Sequence, residues 1–172
     1  MDCVLVRHGS AVERDEWEGS DADRPLTERG AKRVAQVAAG LSRLDVQPTH
    51  VLSSPLIRAI ETAKIVRRSL RVRPAVQIVD ALLPDAPPNR LLSILHDLPP
   101  EACVVCIGHE PQLGMAASVF LSGRATPSFP LKKAGACLIE LSVPPKPGHG
   151  VLRWWLTPSQ LRVLGKGRSA EC

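Results

Sequence analysis

An arginine and a histidine stand side by side at Arg7-His8, followed by Gly9, directly after a short apolar run from Cys3 to Val6. A second arginine, Arg58, follows an apolar stretch that ends at Ser53. A second histidine, His109, follows another that runs from Cys103 to Ile107. These residue types suit phosphoryl transfer. A phosphoryl group carries about two negative charges near neutral pH, and forked guanidinium groups hold its oxygens in fixed geometry. A neutral imidazole attacks phosphorus when one ring nitrogen is free and the other donates to a fixed acceptor. Arg7 and Arg58 would disfavour the imidazolium form of His8 and keep it nucleophilic. Gly9 would let the backbone approach the phosphate closely. Because the transition state is loose, positioning and charge stabilisation can supply most of the catalysis. Nothing in this chemistry requires a metal or another cofactor.

For these residues to act together, the elements that carry them must end at one place. The apolar pattern alternates between short strand-like runs and longer helical ones. Strands are expected at Cys3–Val6, Val51–Ser53, Val76–Val79 and Cys103–Ile107, with two late ones at Ala136–Val143 and Val151–Leu156. Thr27 is an N-cap candidate for a helix to about Arg43, with Ala31, Val34, Ala35, Ala38 and Leu41 on one face. Leu56, Ala59, Ile60, Ala63 and Leu70 mark a second helix, with Pro55 near its first turn. Further helices are expected from about Asn89 to Leu98 and from Pro111 to about Leu121. The long polar stretch between Arg7 and Pro25 reads as a loop rich in acidic residues.

Strands alternating with helices imply an α/β fold, a three-layer α/β/α sandwich. Its central sheet should be mostly parallel, with an antiparallel strand late in the chain. In such folds the loops leaving the carboxyl ends of the strands form the site. Arg7-His8-Gly9, Ser53 to Arg58 and Gly108-His109-Glu110 would then converge on one rim. Taken singly, each residue has a plainer reading: Arg58, for example, reads equally well as a helix-surface partner of Glu61. The set at three strand ends favours the site.

With 172 residues the chain reads as one domain over 1–165, followed by a basic C-terminal tail over 166–172. Its net charge of +5 favours anionic partners, but the basic residues are spread along the chain. Aromatics make up only 3% of the residues, which removes the stacking platform that single-stranded nucleic acid would need. The start of the chain resembles neither a signal peptide nor a membrane span. An odd count of 5 cysteines fits reduced thiols in a cytoplasmic protein. Cys103 and Cys106 lie in one strand, three residues apart, and should face opposite sides of the sheet rather than form a metal site. By the same rule Trp154 and Trp155 should face opposite sides, one in the core and the other partly exposed.

Four blocks carry a resemblance: LVRHGSA at Leu5–Ala11, RPLTERG at Arg24–Gly30, SSPLIRAIETA at Ser53–Ala63 and GHEPQLG at Gly108–Gly114. In this order they resemble the histidine phosphatase superfamily, and within it the SixA-type phosphohistidine phosphatases. The resemblance covers about residues 1 to 160 and implies a phosphoglycerate mutase-like fold. It also implies that His8 becomes phosphorylated, that Arg7, Arg58 and His109 form the phosphate pocket, and that Gly9, Arg24 and Ser54 contact the substrate. Many members of the superfamily place a carboxylic acid on the loop after the third strand. Here that loop reads LLPDAPPN, with Asp85 as its one carboxylate. Asp21, in GSDADRPLT, is a second candidate for orienting or proton transfer. Each aspartate reads equally as a solvated loop residue.

The scarcity of acids bears on the substrate. An alkoxide is a poor leaving group and needs a general acid, whereas the imidazole of a phosphohistidine departs far more readily. The expected activity is therefore hydrolysis of phosphohistidine on a protein. The alternatives are a phosphomonoesterase for a small metabolite such as a sugar phosphate or nucleotide, and a non-catalytic module that binds phosphorylated partners.

Overall fold

The computed structural model describes residues 1–167. The strands are β1 (Asp2–Arg7), β2 (His50–Ser53), β3 (Val76–Ile78), β4 (Cys103–Gly108), β5 (Ala136–Glu140) and β6 (Val151–Leu156). The helices are α1 (Glu28–Arg43), α2 (Ile57–Ser69), α3 (Pro88–His96), α4 (Gln112–Ser122) and α5 (Pro158–Lys166). The strands form one sheet in the order β3-β2-β4-β1-β5-β6. Strands β3, β2, β4 and β1 run parallel, whereas β5 pairs antiparallel with both β1 and β6. This is the phosphoglycerate mutase-like α/β architecture.

Side chains alternate across the sheet and build a core on each face. Leu5, Leu52, Val104 and Cys106 pack with Leu91, Leu95, Leu113 and Phe120 of α3 and α4. Val4, Val6, Val51, Val105 and Ile107 pack with Val34, Leu41, Ala63 and Leu161 of α1, α2 and α5. Full burial of one such Leu or Val side chain is worth about 1.5–3 kcal/mol, so each face contributes substantially. Cys106 faces the first core and Cys103 the second, as their spacing requires.

Helix α1 forms because its apolar residues recur at helical spacing. Thr27 caps it, accepting from the Gly30 amide at 2.9 Å. Gly30 has no alternative: a Cβ there would lie 2.0 Å from the Ser10 carbonyl oxygen, so the helix start presses on the loop leaving β1. Helix α5 is not among the helices that periodicity predicts. Its signal is a capping box, with Thr157 accepting from the Gln160 amide, the Gln160 side chain returning to the Thr157 amide, and Pro158 in the first turn. The helix packs closely on α1, where a Cβ on Gly40 would lie 2.0 Å from the Leu161 carbonyl oxygen.

Several boundaries move. Lys166 ends α5 rather than opening a basic tail, and residues 168–172 of that expected tail lie outside the described residues. Strand β5 stops at Glu140, short of Val143. The loop after β1 contains two short 3-10 turns, Arg14–Glu16 and Asp21–Asp23, and an antiparallel bridge between Ala11 and Leu26. Trp154 and Trp155 do face opposite sides of the sheet, but both are half-buried and neither is core, because β6 is an edge strand. No helix among the described residues is long and apolar enough to cross a membrane.

Candidate active site

The parallel strands β1, β4 and β2 are neighbours in the sheet, so their carboxyl ends share one edge. Arg7 pairs with Gly108 in register, and Ser53 pairs with Ile107. The residues leaving these strands therefore meet: the His8 and His109 ring centroids lie 4.8 Å apart. Three charged or titratable groups here are almost fully buried, with His8 7%, Arg58 4% and His109 2% exposed.

His8 has a determined tautomer. Its Nδ1 lies 2.7 Å from the Gly9 carbonyl oxygen, which can only accept. Nδ1 thus carries the hydrogen, and Nε2 presents a free lone pair. His109 is set differently. Its Nε2 lies 2.9 Å from Ser54 Oγ, and that oxygen already accepts from the Leu56 amide. Ser54 Oγ keeps its hydrogen and a second lone pair, so it can donate to Nε2 or accept from it; when it donates, the neutral His109 ring carries its hydrogen on Nδ1. That Nδ1 and Arg7 Nε are buried and have no partner among the described residues. An orphaned buried donor on Arg7, beside an orphaned ring nitrogen that donates in the Nδ1–H tautomer, fits a ligand that only accepts.

Burial is the main cause that lowers the His8 pKa from 6.5 to about 4, with help from Arg58, Arg7 and Lys133. Burial, His8 and the same two arginines take His109 further down, to about 2. Both imidazoles bind protons near pH 6.5 in the unfolded chain and near pH 4 or below in the native one. The unfolded state binds more protons across that window, so the contribution of these two rings to stability is fully present above pH 6.5 and is lost as the pH is lowered through it. Nitrogen NMR of the ligand-free protein should accordingly find His8 neutral at pH 6, with the hydrogen on Nδ1. A titration midpoint at or above 6.5 would contradict this account of the buried ring.

The remaining candidates surround this pair. Arg58 donates to the Asp21 carbonyl at 2.7 Å and to Asp21 Oδ2 at 3.0 Å. Arg24 donates through Nε to Asp21 Oδ1 at 3.0 Å and through Nη1 to the Val12 carbonyl at 2.7 Å. Arg14 meets the same carboxylate at 2.9 Å. Burial alone would raise the Asp21 pKa, but Arg58 and Arg24 outweigh it and the net direction is down. A carboxylate held this way stays ionised and is a poor proton donor. It is well suited to orienting Arg58. Asp85 is exposed in the turn after the 3-10 segment Asp80–Leu82 and makes no side-chain hydrogen bond among the described residues. Arg24 is engaged by Asp21 and Val12, and Ser54 by His109. Gly9 is required by packing as well: a Cβ there would lie 2.5 Å from Val34 Cγ2. Glu61, the alternative partner for Arg58, instead accepts from the Leu26 amide at 2.7 Å.

Two residues of the site escape the sequence reading although they lie inside the four resembling blocks. Thr62 Oγ1 donates to the Arg58 carbonyl at 2.7 Å and accepts from the Gly9 amide at 3.1 Å. It ties the loop of His8 to the turn of α2 that carries Arg58. Glu110 Oε1 accepts from the Leu131 amide at 2.9 Å, while Arg7 donates to the Leu131 carbonyl at 2.8 Å. Burial pushes the Glu110 pKa up, and the Leu131 amide and Arg7 oppose it. The signals that could have found them are the spacing Arg58-x-x-x-Thr62, one helical turn, and the adjacency of Glu110 to His109.

Residues 3–83 match the family model of the histidine phosphatase superfamily, branch 1, a span that includes Arg7, His8 and Arg58. An uncharacterized protein of Picosynechococcus sp. is 35% identical over 137 residues, 78% of this chain and 82% of that protein. The phosphohistidine phosphatase SixA of Escherichia coli (strain K12) is 27% identical over 165 residues, 95% of this chain and 98% of SixA. The structure of the protein histidine phosphatase SixA complexed with tungstate superposes with a TM-score of 0.82 at 27% identity, covering 94% of this chain and 99% of that one.

Proposed function

This chain belongs to the histidine phosphatase superfamily and is a histidine-nucleophile phosphatase, and on that premise we propose that it hydrolyses phosphohistidine carried on a protein, with His8 as the nucleophile. His8 Nε2 attacks phosphorus, the bond from phosphorus to the substrate imidazole breaks, and the departing ring nitrogen keeps the electron pair. Water then attacks the phosphorylated His8, the new P–N bond breaks, and inorganic phosphate leaves. The Gly9 carbonyl holds the Nδ1 hydrogen of His8 and supports the positive charge that develops on the ring during attack. Arg7, Arg58 and His109, the last through Nδ1–H with the Ser54 hydroxyl donating to its Nε2, hold the phosphoryl oxygens. Ser54, Asp21, Arg24, Thr62 and Glu110 are positioning residues that act through these four.

The observation that carries the substrate class is the state of the two candidate acids. Asp21 is kept ionised by the arginines around it, and Asp85 is exposed without a hydrogen bond. With neither aspartate poised to give a proton, the site suits a leaving group that needs none. The similarity to SixA over nearly the whole chain points the same way. The test compares turnover of a histidine-phosphorylated protein with turnover of a panel of phosphomonoesters, in the wild type and in Asp85→Asn. Phosphohistidine should be preferred, and Asp85→Asn should stay within about threefold of wild type on it. A preference for a monoester, or a loss in Asp85→Asn as deep as that in His8→Ala, would overturn the substrate class.

A further inference from the structure

We propose that the groove between α1 and α2 is the docking surface for an acidic, amphipathic helix of the protein that carries the phosphohistidine. The proposal rests on the phosphohistidine reading and extends it to the charge and shape of the partner. The groove has a volume of about 820 Å³. Its apolar lining comes from Leu26, Ala31, Ile65 and Val72, none of which is fully buried. Lys64, Arg68 and Arg71, all exposed, add cations along one side. Lys64 and Arg68 are four residues apart on α2 and so share one face of that helix. Arg67 is fixed differently, donating to the Pro74 and Arg73 carbonyls, and shapes the far end rather than offering a free charge.

The groove is continuous with the site. Leu26 lines it and also lies against the nucleophile loop: its Cδ2 is 3.2 Å from the place a Cβ on Gly9 would occupy. At this near end the lining acids are Glu28 and Glu61, and Glu61 is taken by the Leu26 amide. Cations therefore dominate away from the site and acids lie only next to it. The complementary partner places its acidic residues toward Arg68 and Arg71 and its apolar row over Leu26 and Ile65.

The walls of the groove decide the kind of partner. They are helices, whose backbone is already paired, so no extended strand can add to them by main-chain hydrogen bonds. An occupant is gripped by side chains, and a third helix laid along two others presents them at the spacing i, i+3, i+4, i+7. The lining contains no aromatic residue on which nucleic-acid bases could stack, which favours protein over single-stranded nucleic acid.

The test uses three substrates: free phosphohistidine, a helical peptide with one phosphohistidine flanked by an apolar row and an acidic row, and the same peptide with its acids replaced by glutamine. The wild type should favour the acidic peptide over the glutamine peptide by about tenfold in kcat/KM, chiefly through KM and less at high salt. The double variant Lys64→Glu, Arg68→Glu should lose that preference while keeping its rate on free phosphohistidine, which shows that the fold and site are intact. Equal treatment of both peptides by a wild type that turns over free phosphohistidine would overturn the docking surface and leave the phosphatase reading standing. A double variant equally slow on all three substrates would also overturn it. So would tighter binding of nucleic acid than of the acidic peptide at the same salt. Failure on every phosphohistidine substrate, with turnover of a monoester, would overturn the substrate reading first and this proposal with it.

Discussion

His8→Ala is expected to abolish turnover, with a loss of about 10⁴-fold or more, and to leave no acid-labile phosphoenzyme. The reasoning starts from ring nitrogens. His109 is the obvious substitute nucleophile, with its ring centroid 4.8 Å from that of His8. Yet its Nε2 is engaged with the Ser54 hydroxyl, and its Nδ1 carries the hydrogen in the tautomer that can donate to a phosphoryl oxygen. His8 Nε2 offers a free lone pair, because the Gly9 carbonyl holds the hydrogen on the other nitrogen. The variant should fold, since His8 makes one local hydrogen bond and is already neutral in the native state. Mixing enzyme with labelled substrate and quenching in base would trap the phosphoenzyme for counting. Equal labelling of His8→Ala and wild type would place the nucleophile elsewhere and end this mechanism.

Arg58→Ala is expected to reduce kcat/KM by about 10²–10³-fold, the scale for removing one charged donor from a preorganised site. Arg58→Lys should recover little, because a single ammonium cannot both hold Asp21 and reach a phosphoryl oxygen with fixed geometry. Asp21→Asn should cost less, about tenfold. Of the two bonds that orient Arg58, the one to the Asp21 carbonyl at 2.7 Å survives that change and only the one to Oδ2 is weakened. If Asp21 were instead the proton donor, Asp21→Asn would lose activity on phosphomonoesters far more steeply than on phosphohistidine. Steady-state kinetics on both substrate types separates these outcomes. An Arg58→Lys variant within a few-fold of wild type would refute the role given to the guanidinium fork.

That Arg7, His8, Arg58 and His109 would meet was legible in the sequence, because each stands at or within a few residues of the end of an apolar run short enough to be a strand. Parallel strands then bring the residues at their carboxyl ends to one edge. Periodicity likewise exposed α1 to α4 and the mostly parallel sheet, since burial on a face leaves a repeating apolar pattern. Helix α5 was missed for the converse reason: among its residues only Leu161 is buried, so it leaves almost no pattern beyond its cap.

Only the tertiary structure decided which groups share a partner. Nothing near Asp21 in the chain says that Arg58, 37 residues away, will claim it, or that this contact will hold it ionised. Nothing near Thr62 says that its hydroxyl will meet the Gly9 amide, 53 residues away. Gly9 and Gly30 could be read as freedom for a ligand or a turn, yet their lack of a side chain answers to Val34 and to the Ser10 carbonyl. The sequence determined which chemical groups stand at the strand ends, because the position of each strand along the chain and the side-chain type are local properties of the chain. Their tautomers, charge states and mutual orientation are set by hydrogen bonds across long separations, and those exist only once the layers have packed.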